Sequence, residues 1–470
     1  MHSWLVPRLA FPAYERLSGR RFWTEMQRLR ALQWTTPAEL GARVVERLQA
    51  LLAHARAHVP HYREMLDAAG VAPQAIRAVD DLARVPITRK AALRRRFPAG
   101  VTAENLPARR RMYGVTSGSS GDPFEFYLDR AAADTWIGAY LFFLEWAGAA
   151  FWHTEVVIAS PRHFYLAGRH VGPGTARLRR WVLGREQIWL AGPDTALATL
   201  WPTIARSARR RPYHIWAYAS YAARLARELL EGGGSLAIAP RAVITAAETL
   251  LLPERAAIER AFRAPVRSHY SCLEIPRIAQ TCPDNPAVLH VNAERAIVRV
   301  VDEAGRNVAP GERGRVVVTD LLNRVMPFIN YELGDTALLS TPCPCGRGWP
   351  TLGAIEGRVT ETLITGDGRA VSAAVLGQFL VTIGDVLPYV WEYQAVQESV
   401  GTVELRVVPT ARYSAGIGDT LRNQLETLLS PGTRVRVEIV EAIERAPSGK
   451  RLVITSRVPA GQVPRAGSAS

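Results

Sequence analysis

A layered α/β fold, with a helical N-terminal part and a small α+β unit at the C-terminus, follows from three observations. Residues 1–110 carry apolar residues mostly at helical spacing. Beyond residue 124, helix-like segments alternate with short β-rich runs, the pattern of a sheet covered by helices. From about Arg358 the order becomes strand, strand, helix, strand, which suits a separate small domain. A chain of 470 residues is also too long for one ordinary core. The expected boundaries are 1–357 for the large domain and 358–458 for the small one. A Gly/Ser/Pro-rich tail, 459–470, is expected to be disordered.

The elements follow in order. Leu48-Gln49-Ala50-Leu51-Leu52-Ala53-His54-Ala55 has helical periodicity, and Val59-Pro60-His61-Tyr62 breaks it. Val79-Asp80-Asp81-Leu82 reads as a helix start with Asp at the capping position. Pro86-Ile87-Thr88-Arg89-Lys90 is a second break, followed by a basic helix. Phe124–Leu128 alternates like a strand. Helices are then expected over Thr135–Trp146, Ala222–Leu230 and Pro253–Phe262, and strands over Glu155–Ala159, Ala242–Thr245, Ala296–Val301 and Arg315–Thr319. Gly232-Gly233-Gly234-Ser235 reads as a flexible loop. In the small unit, Tyr389–Val396, Thr402–Val408 and Arg434–Val440 read as strands and Gly418–Leu429 as a helix.

Hydrophobic content of 48% and charged content of 21% fit a soluble globular protein. No signal peptide is expected, because Pro7 and Arg8 interrupt the first apolar residues and no basic stretch precedes them. The longest apolar stretch, Trp136 to Leu144, stops at Glu145 and is too short to span a bilayer. These features predict a cytoplasmic protein with no membrane partner. The formal charge is +15 and almost all the positive charge is arginine. Arginine triplets at Arg94–Arg96, Arg109–Arg111 and Arg209–Arg211 could meet nucleic-acid phosphates, but they are scattered and lack a recognisable motif. No nucleic-acid partner is expected. Lysine occurs only at Lys90 and Lys450, so a retained lysine suggests a role that arginine cannot fill.

The stretch Tyr113-Gly114-Val115-Thr116-Ser117-Gly118-Ser119-Ser120-Gly121-Asp122-Pro123 combines three glycines with four hydroxyls. Such a loop can turn tightly and offer backbone N–H groups to a polyphosphate. It lacks the Gly-Lys-[Ser/Thr] ending of a Walker A loop. Taken alone, a solvated hairpin turn explains it equally well.

Several segments together resemble the adenylate-forming (ANL) superfamily, in its phenylacetate–CoA ligase and CapK branch. They are Thr116–Pro123, the Val-Pro-His-Tyr-Arg segment at 59–63, Ile244-Thr245-Ala246-Ala247-Glu248 and Tyr270-Ser271-Cys272-Leu273-Glu274. Met326–Asp335, Gly357-Arg358 and Pro447-Ser448-Gly449-Lys450 complete the series in the family's order. The resemblance runs from about residue 48 to 455. It implies a large adenylation domain and a small mobile domain carrying Lys450. The implied reaction is ATP-dependent activation of a carboxylic acid as acyl-AMP, with coenzyme A as the acceptor.

The roles it implies are specific. Thr116, Ser117, Gly118, Ser119, Ser120 and Gly121 would hold the β- and γ-phosphates of ATP. Ala246, Ala247 and Glu248 would line the adenine pocket, and Tyr270 would stack on adenine. Asp335 would accept hydrogen bonds from the ribose hydroxyls, as one carboxylate can from two donors. Arg358 would be a second nucleotide contact. Glu274 would help hold Mg²⁺. Lys450 would approach the acyl carboxylate and the α-phosphate, where a compact ammonium fits better than a guanidinium. The sequence departs from the family at Leu273 (often Thr), Asn330 (often Arg) and Thr360 at the hinge (usually Asp or Lys).

The four cysteines, Cys272, Cys282, Cys343 and Cys345, are not expected to form structural disulfides in a cytosolic chain. Four thiolates can close a tetrahedral zinc site, and cysteines recur similarly in this branch. His290 could replace one of them, for instance Cys282. Because Cys272 is two residues from Glu274, a zinc there would brace the nucleotide site. The aromatics Tyr113, Trp136, Tyr140, Trp216, Tyr218 and Tyr221 could line the acyl pocket. Two rivals stay open. The acceptor could be an amine, a hydroxyl or a carrier-protein thiol, or the chain could be a zinc-braced binding protein with a degenerate catalytic site.

Overall fold

The computed structural model describes residues 6–116, 124–159, 186–191, 197–209, 211–232, 236–358, 361–367, 369–382, 388–429, 432–446 and 450–458. Helices built on the expected periodicity open the chain. The helix Pro37–His58 starts at a capping box formed by Thr36 and Glu39, and its Leu48, Leu51, Leu52 and Ala55 are fully buried. The break at Val59-Pro60 is a joint between two helices. Val59 is extended, and Pro60 begins the helix Pro60–Ala68, where its missing N–H has no partner to lose. Val79–Arg84 forms a 3₁₀ turn, with Asp81 accepting from the N–H groups of Arg77 and Ala78. The basic segment Lys90–Arg96 is an α-helix.

Strands β1 (Arg111–Thr116) and β2 (Phe124–Asp129) pair as an antiparallel hairpin around the glycine- and serine-rich loop. Gly114 is required there. A Cβ at that position would lie 2.5 Å from the Phe126 ring that packs across it. Residues 117–123, with the expected phosphate contacts Ser117, Gly118, Ser119, Ser120 and Gly121, lie outside the described residues.

The main sheet takes β3 (Thr154–Ala159), β4 (Glu186–Ala191), β5 (Tyr213–Tyr218), β6 (Val243–Ala246), β7 (Val266–Tyr270), β8 (Ala279–Thr281), β9 (Leu289–Val291), β10 (Ala296–Val301), β11 (Arg313–Asp320), β12 (Tyr331–Leu339) and β13 (Thr351–Arg358). Its order is β10-β11-β12-β13-β9-β8-β7-β6-β5-β3-β4. The β7-β6-β5-β3-β4 half is parallel, and everything from β8 to β10 is antiparallel. The helices Ala133–Trp146, Ala219–Glu231 and Leu252–Phe262 appear where the sequence predicts them. Among the described residues no helix is long and apolar enough to cross a membrane.

Past Arg358 a short hairpin, β14 (Thr362–Ile364) and β15 (Ala370–Ser372), leads to β16 (Val390–Ser399), β17 (Thr402–Pro409), β18 (Arg434–Ile439) and β19 (Ile454–Ser456). These four form one sheet in the order β18-β17-β16-β19. The helices Ala373–Thr382 and Ala415–Leu429 share a core with it through Leu376, Leu380, Leu405, Leu421, Leu425 and Ile454. The strand–strand–helix–strand order is as the sequence predicts. β19 escapes prediction because it has three residues and gains its strand character only by pairing with β16. The tail from 459 and the hinge position Thr360 lie outside the described residues.

Candidate active site

The parallel strands end at one edge of the sheet, next to the point where pairing turns antiparallel. Open α/β sheets bind ligands at such carboxyl edges. β6 delivers Ala246 there. Ala247 follows with φ +71, an unusual conformation for a residue with a side chain and one found at functional turns. β7 delivers Tyr270 beside it.

Asp335 comes from β12, with β13, β9 and β8 between it and β7. In a flat sheet, four strand spacings would hold the two residues about 19 Å apart. Instead the Tyr270 hydroxyl donates to Asp335 Oδ2 at 2.7 Å, so the sheet curls strongly across the site. Asp335 pairs in register with Arg358 at the end of β13, whose Nε is 3.9 Å from Asp335 Oδ1. Gly357, with φ +111, sets Arg358 up. Burial raises the pKa of Asp335 against the pull of Arg358 and Tyr270. Burial also pushes the Tyr270 hydroxyl well above its ordinary range.

Lys450 enters from the small unit. Its ammonium lies within electrostatic reach of Arg358, Glu248, Asp335 and Glu361. Burial and Arg358 together lower its pKa, against the three carboxylates. Burial raises that of Glu361. Glu274 is buried (3% exposed) and sits under the hydroxyl of Tyr331 at 3.3 Å. Lys90 Nζ lies 3.2 Å from the same Oε1 and 5.3 Å from the centre of the Phe124 ring. Lys90 is a functional candidate that motif reading missed. Its signal was that it is the only lysine besides Lys450.

The remaining expected contacts are placed as follows. Thr116 closes β1 and accepts the Phe124 N–H at 3.2 Å. Glu248 turns away from a simple lining role: its carboxylate accepts the N–H groups of Ser220 at 2.8 Å and Arg451 at 2.7 Å. Leu273 is an exposed apolar residue. Asn330 is fully buried with φ +49. Its amide donates to the Leu82 and Val85 carbonyls at 3.1 and 2.6 Å and accepts from Arg299 at 2.9 Å. It pins the N-terminal 3₁₀ turn to the sheet, a closed arrangement with no room for arginine. Of the aromatics, Tyr113 is exposed and Tyr218 and Tyr221 are core residues. Tyr140 lies under the Arg277 guanidinium at 4.6 Å, and Trp136 lies under Arg295 at 5.3 Å.

The candidate metal-ligand set differs from the expected one. Cys282, His290, Cys343 and Cys345 bring their ligand atoms within 4.8 Å of one another, and Cys272 is not among them. The Cys272 sulfur accepts the Ile275 N–H at 3.2 Å in the Glu274 turn. β-pairing gives the reason. Cys282 follows β8, β8 pairs with β9, and β9 carries His290 opposite Gln280 and Thr351. His290 therefore joins Cys282 instead of replacing it. Cys343 Sγ is 3.9 Å from Cys282 Sγ, and Cys345 Sγ is 3.3 Å from His290 Nε2. Ligands at tetrahedral zinc stand about 3.5–3.8 Å apart, given bonds of ~2.1–2.3 Å, so the donors fit this metal. The His290 Nδ1 atom bonds the Trp349 carbonyl at 3.0 Å, which leaves Nε2 as the ligand nitrogen. The cluster braces a different place from the one expected. Arg347, two residues from Cys345, donates to Gln33 at 2.8 Å and stacks on Trp34 and Trp146, tying the N-terminal helices to the sheet.

No protein-family model matches the chain. A phenylacetate-coenzyme A ligase of Thermus thermophilus is 29% identical over 402 residues, covering 82% of this chain and 85% of that protein. The protein CapK of Staphylococcus aureus is 24% identical over 246 residues, 51% of this chain and 52% of its own. Among solved structures, a 2-hydroxyisobutyryl-CoA ligase in its postadenylation state superposes with a TM-score of 0.73 at 22% identity, over 90% of this chain and 91% of that one. Together with the ordered motifs and their convergence on one sheet edge, these comparisons show a chain similar to phenylacetate-coenzyme A ligases and to CapK, with the fold of an adenylate-forming CoA ligase.

Proposed function

We propose that the chain activates a carboxylic acid with ATP as an acyl-adenylate and then transfers the acyl group to coenzyme A. The observation that carries this reading is the meeting of Lys450 with Asp335 and Arg358 at the carboxyl edge of the sheet, beside Tyr270. A carboxylate attacking the α-phosphorus gathers negative charge as pyrophosphate leaves. A cation held there before the reaction stabilises that charge without reorganisation. Lys450 has the size and the charge for this, and its approach to two anionic groups at once brings the reactants together. Asp335 would take the ribose hydroxyls and Tyr270 would pack on the adenine. Thr116 and the loop that follows it would hold the outer phosphates.

Glu274 would take Mg²⁺ once Lys90 yields its oxygen. The metal supplies charge neutralisation at the phosphates. A carboxylate that is already buried beside a cation suits that exchange, because one positive partner can replace another at the same oxygen. Cys282, His290, Cys343 and Cys345 would hold a zinc ion. Four protein ligands leave no open position, so its part is structural. In the second half-reaction the unit at 358–458 would swing, withdraw Lys450 and admit the acceptor thiol.

The test is product analysis by mass spectrometry with Mg-ATP, a panel of carboxylic acids, and CoA present or absent. The expected result is AMP and pyrophosphate with one acid class, plus its acyl-CoA only when CoA is added. AMP and acyl transfer to an added amine, alcohol or carrier protein, with no acyl-CoA, would replace the acceptor. Absence of AMP and pyrophosphate with every acid would overturn the reading.

A further inference from the structure

Arg451 is held by the large unit through both its backbone and its side chain. Its backbone N–H donates to Glu248 Oε1 at 2.7 Å. Its guanidinium donates to Glu254 Oε1 at 2.7 Å, with side chains only 4% and 1% exposed. Both acids belong to the segment that follows β6. Glu248 follows Ala246 and Ala247, and Glu254 lies in the first turn of the helix Leu252–Phe262. Each is also fixed from its own side. Glu248 takes the Ser220 N–H, and Glu254 takes the Leu251 N–H at 3.2 Å.

Other contacts between the units flank this one. Arg445 donates to Ser220 Oγ at 3.2 Å and lies 5.5 Å from the Tyr221 ring. Arg227, in the helix Ala219–Glu231, donates to the Val390 carbonyl at 3.1 Å. None of these is adjacent to Lys450 in the chain. Arg451 is one residue away, and neighbouring α-carbons are held about 3.8 Å apart by the trans peptide. Fixing both the backbone and the side chain of Arg451 therefore fixes where the Lys450 side chain begins.

We infer that Glu248 and Glu254 are positioning residues: together they clamp Arg451 and so register Lys450 for the adenylation step. The inference rests on the function proposed above. A buried ion pair suits the task. It adds little net stability, because both ions lose their hydration, yet it is demanding in geometry. Such a contact can specify one docked arrangement and still let the small unit leave. An apolar contact of the same size would hold without selecting a register.

The test separates the two half-reactions. Adenylation is read as ATP–pyrophosphate exchange, and thioester formation is read from chemically synthesised acyl-adenylate plus CoA. Glu254→Gln and Arg451→Gln should each lower the exchange kcat about tenfold or more, with KM for ATP within twofold and thioester formation unchanged or faster. Arg451→Lys should restore part of the exchange. Thermal melts identify any variant that fails to fold, and Glu248→Gln, which keeps a carbonyl acceptor and a similar volume, supplies the independent arm. Equal loss of both half-reactions in folded variants, or no loss of exchange, would overturn the clamp alone. Absence of exchange in the wild type with every acid would remove the proposed function and the clamp together.

Discussion

The nucleotide edge and the cysteine–histidine cluster are both built on the same sheet, yet they are opposite kinds of site. At the edge, Tyr270, Asp335, Arg358 and Lys450 come from distant strands and from both sides of residue 358. Their charges oppose one another. Burial pushes Asp335 up and Lys450 down. At the cluster, Cys282, His290, Cys343 and Cys345 are gathered by local strand pairing and closed by Trp349 and Arg347. In the proposed function the edge would bind and release, and the cluster would hold. Groups of opposite charge drawn from distant elements mark the first, and thiols and an imidazole gathered by neighbouring strands mark the second.

The contrast can be broken in four ways, from the largest expected effect to the smallest. Cys345→Ser should remove the bound metal, read by elemental analysis, and lower the thermal midpoint by roughly 5 °C or more, since losing structural zinc costs several kcal/mol. Cys272→Ser should keep the metal. Loss of metal in Cys272→Ser alone would reverse the ligand assignment. Asp335→Asn should raise KM for ATP about 10- to 100-fold, the worth of a hydrogen bond to a buried charged group, and leave the metal in place. An unchanged KM would detach Asp335 from the nucleotide.

The third concerns pH. In the proposed adenylation Lys450 acts as its ammonium, and its pKa is lowered by burial and by Arg358. Activity should therefore be full below that pKa and fall as pH rises through it, at a lower pH than a free lysine would titrate. The alkaline limb should vanish in Lys450→Arg, whatever rate remains, because arginine does not deprotonate in this range. A limb that persists there belongs to another group. The smallest effect is at Lys90. Lys90→Met frees Glu274 and should lower the Mg²⁺ concentration for half-maximal rate a few-fold, since a partly exposed pair is worth ~1 kcal/mol or less. A higher Mg²⁺ requirement would mean that Lys90 helps the metal instead of competing with it.

How much the sequence disclosed also differs between the two regions. The edge was legible because Tyr270, Asp335, Arg358 and Lys450 each sit in a motif whose order survives in the chain. Their mutual bonds were not, since the Tyr270–Asp335 contact depends on how far five strands curl. Lys90 stayed hidden because it lies in no motif and meets Glu274 only through the fold. The cluster was half legible. Cysteine spacing suggested a metal, but it took the β8–β9 pairing to put His290 with Cys282 and to leave Cys272 in the Glu274 turn. Asn330 was read as a departure from a nucleotide site, and its buried amide has a structural duty instead. The helical period over Leu48–Ala55 was legible because burial follows it, although the helix around it runs from Pro37 to His58. The strand Ile454–Ser456 was not, because three residues carry no period of their own.

The most direct measurement is ATP–pyrophosphate exchange across aryl, fatty and amino acids, with wild type and Lys450→Ala side by side. The account predicts exchange with one acid class and a fall of about 10²–10³-fold in the variant, the usual cost of removing one preorganised charge-stabilising group. Equal exchange in the two proteins, or none in wild type that still binds ATP, would contradict the claim that this sheet edge is an adenylation site.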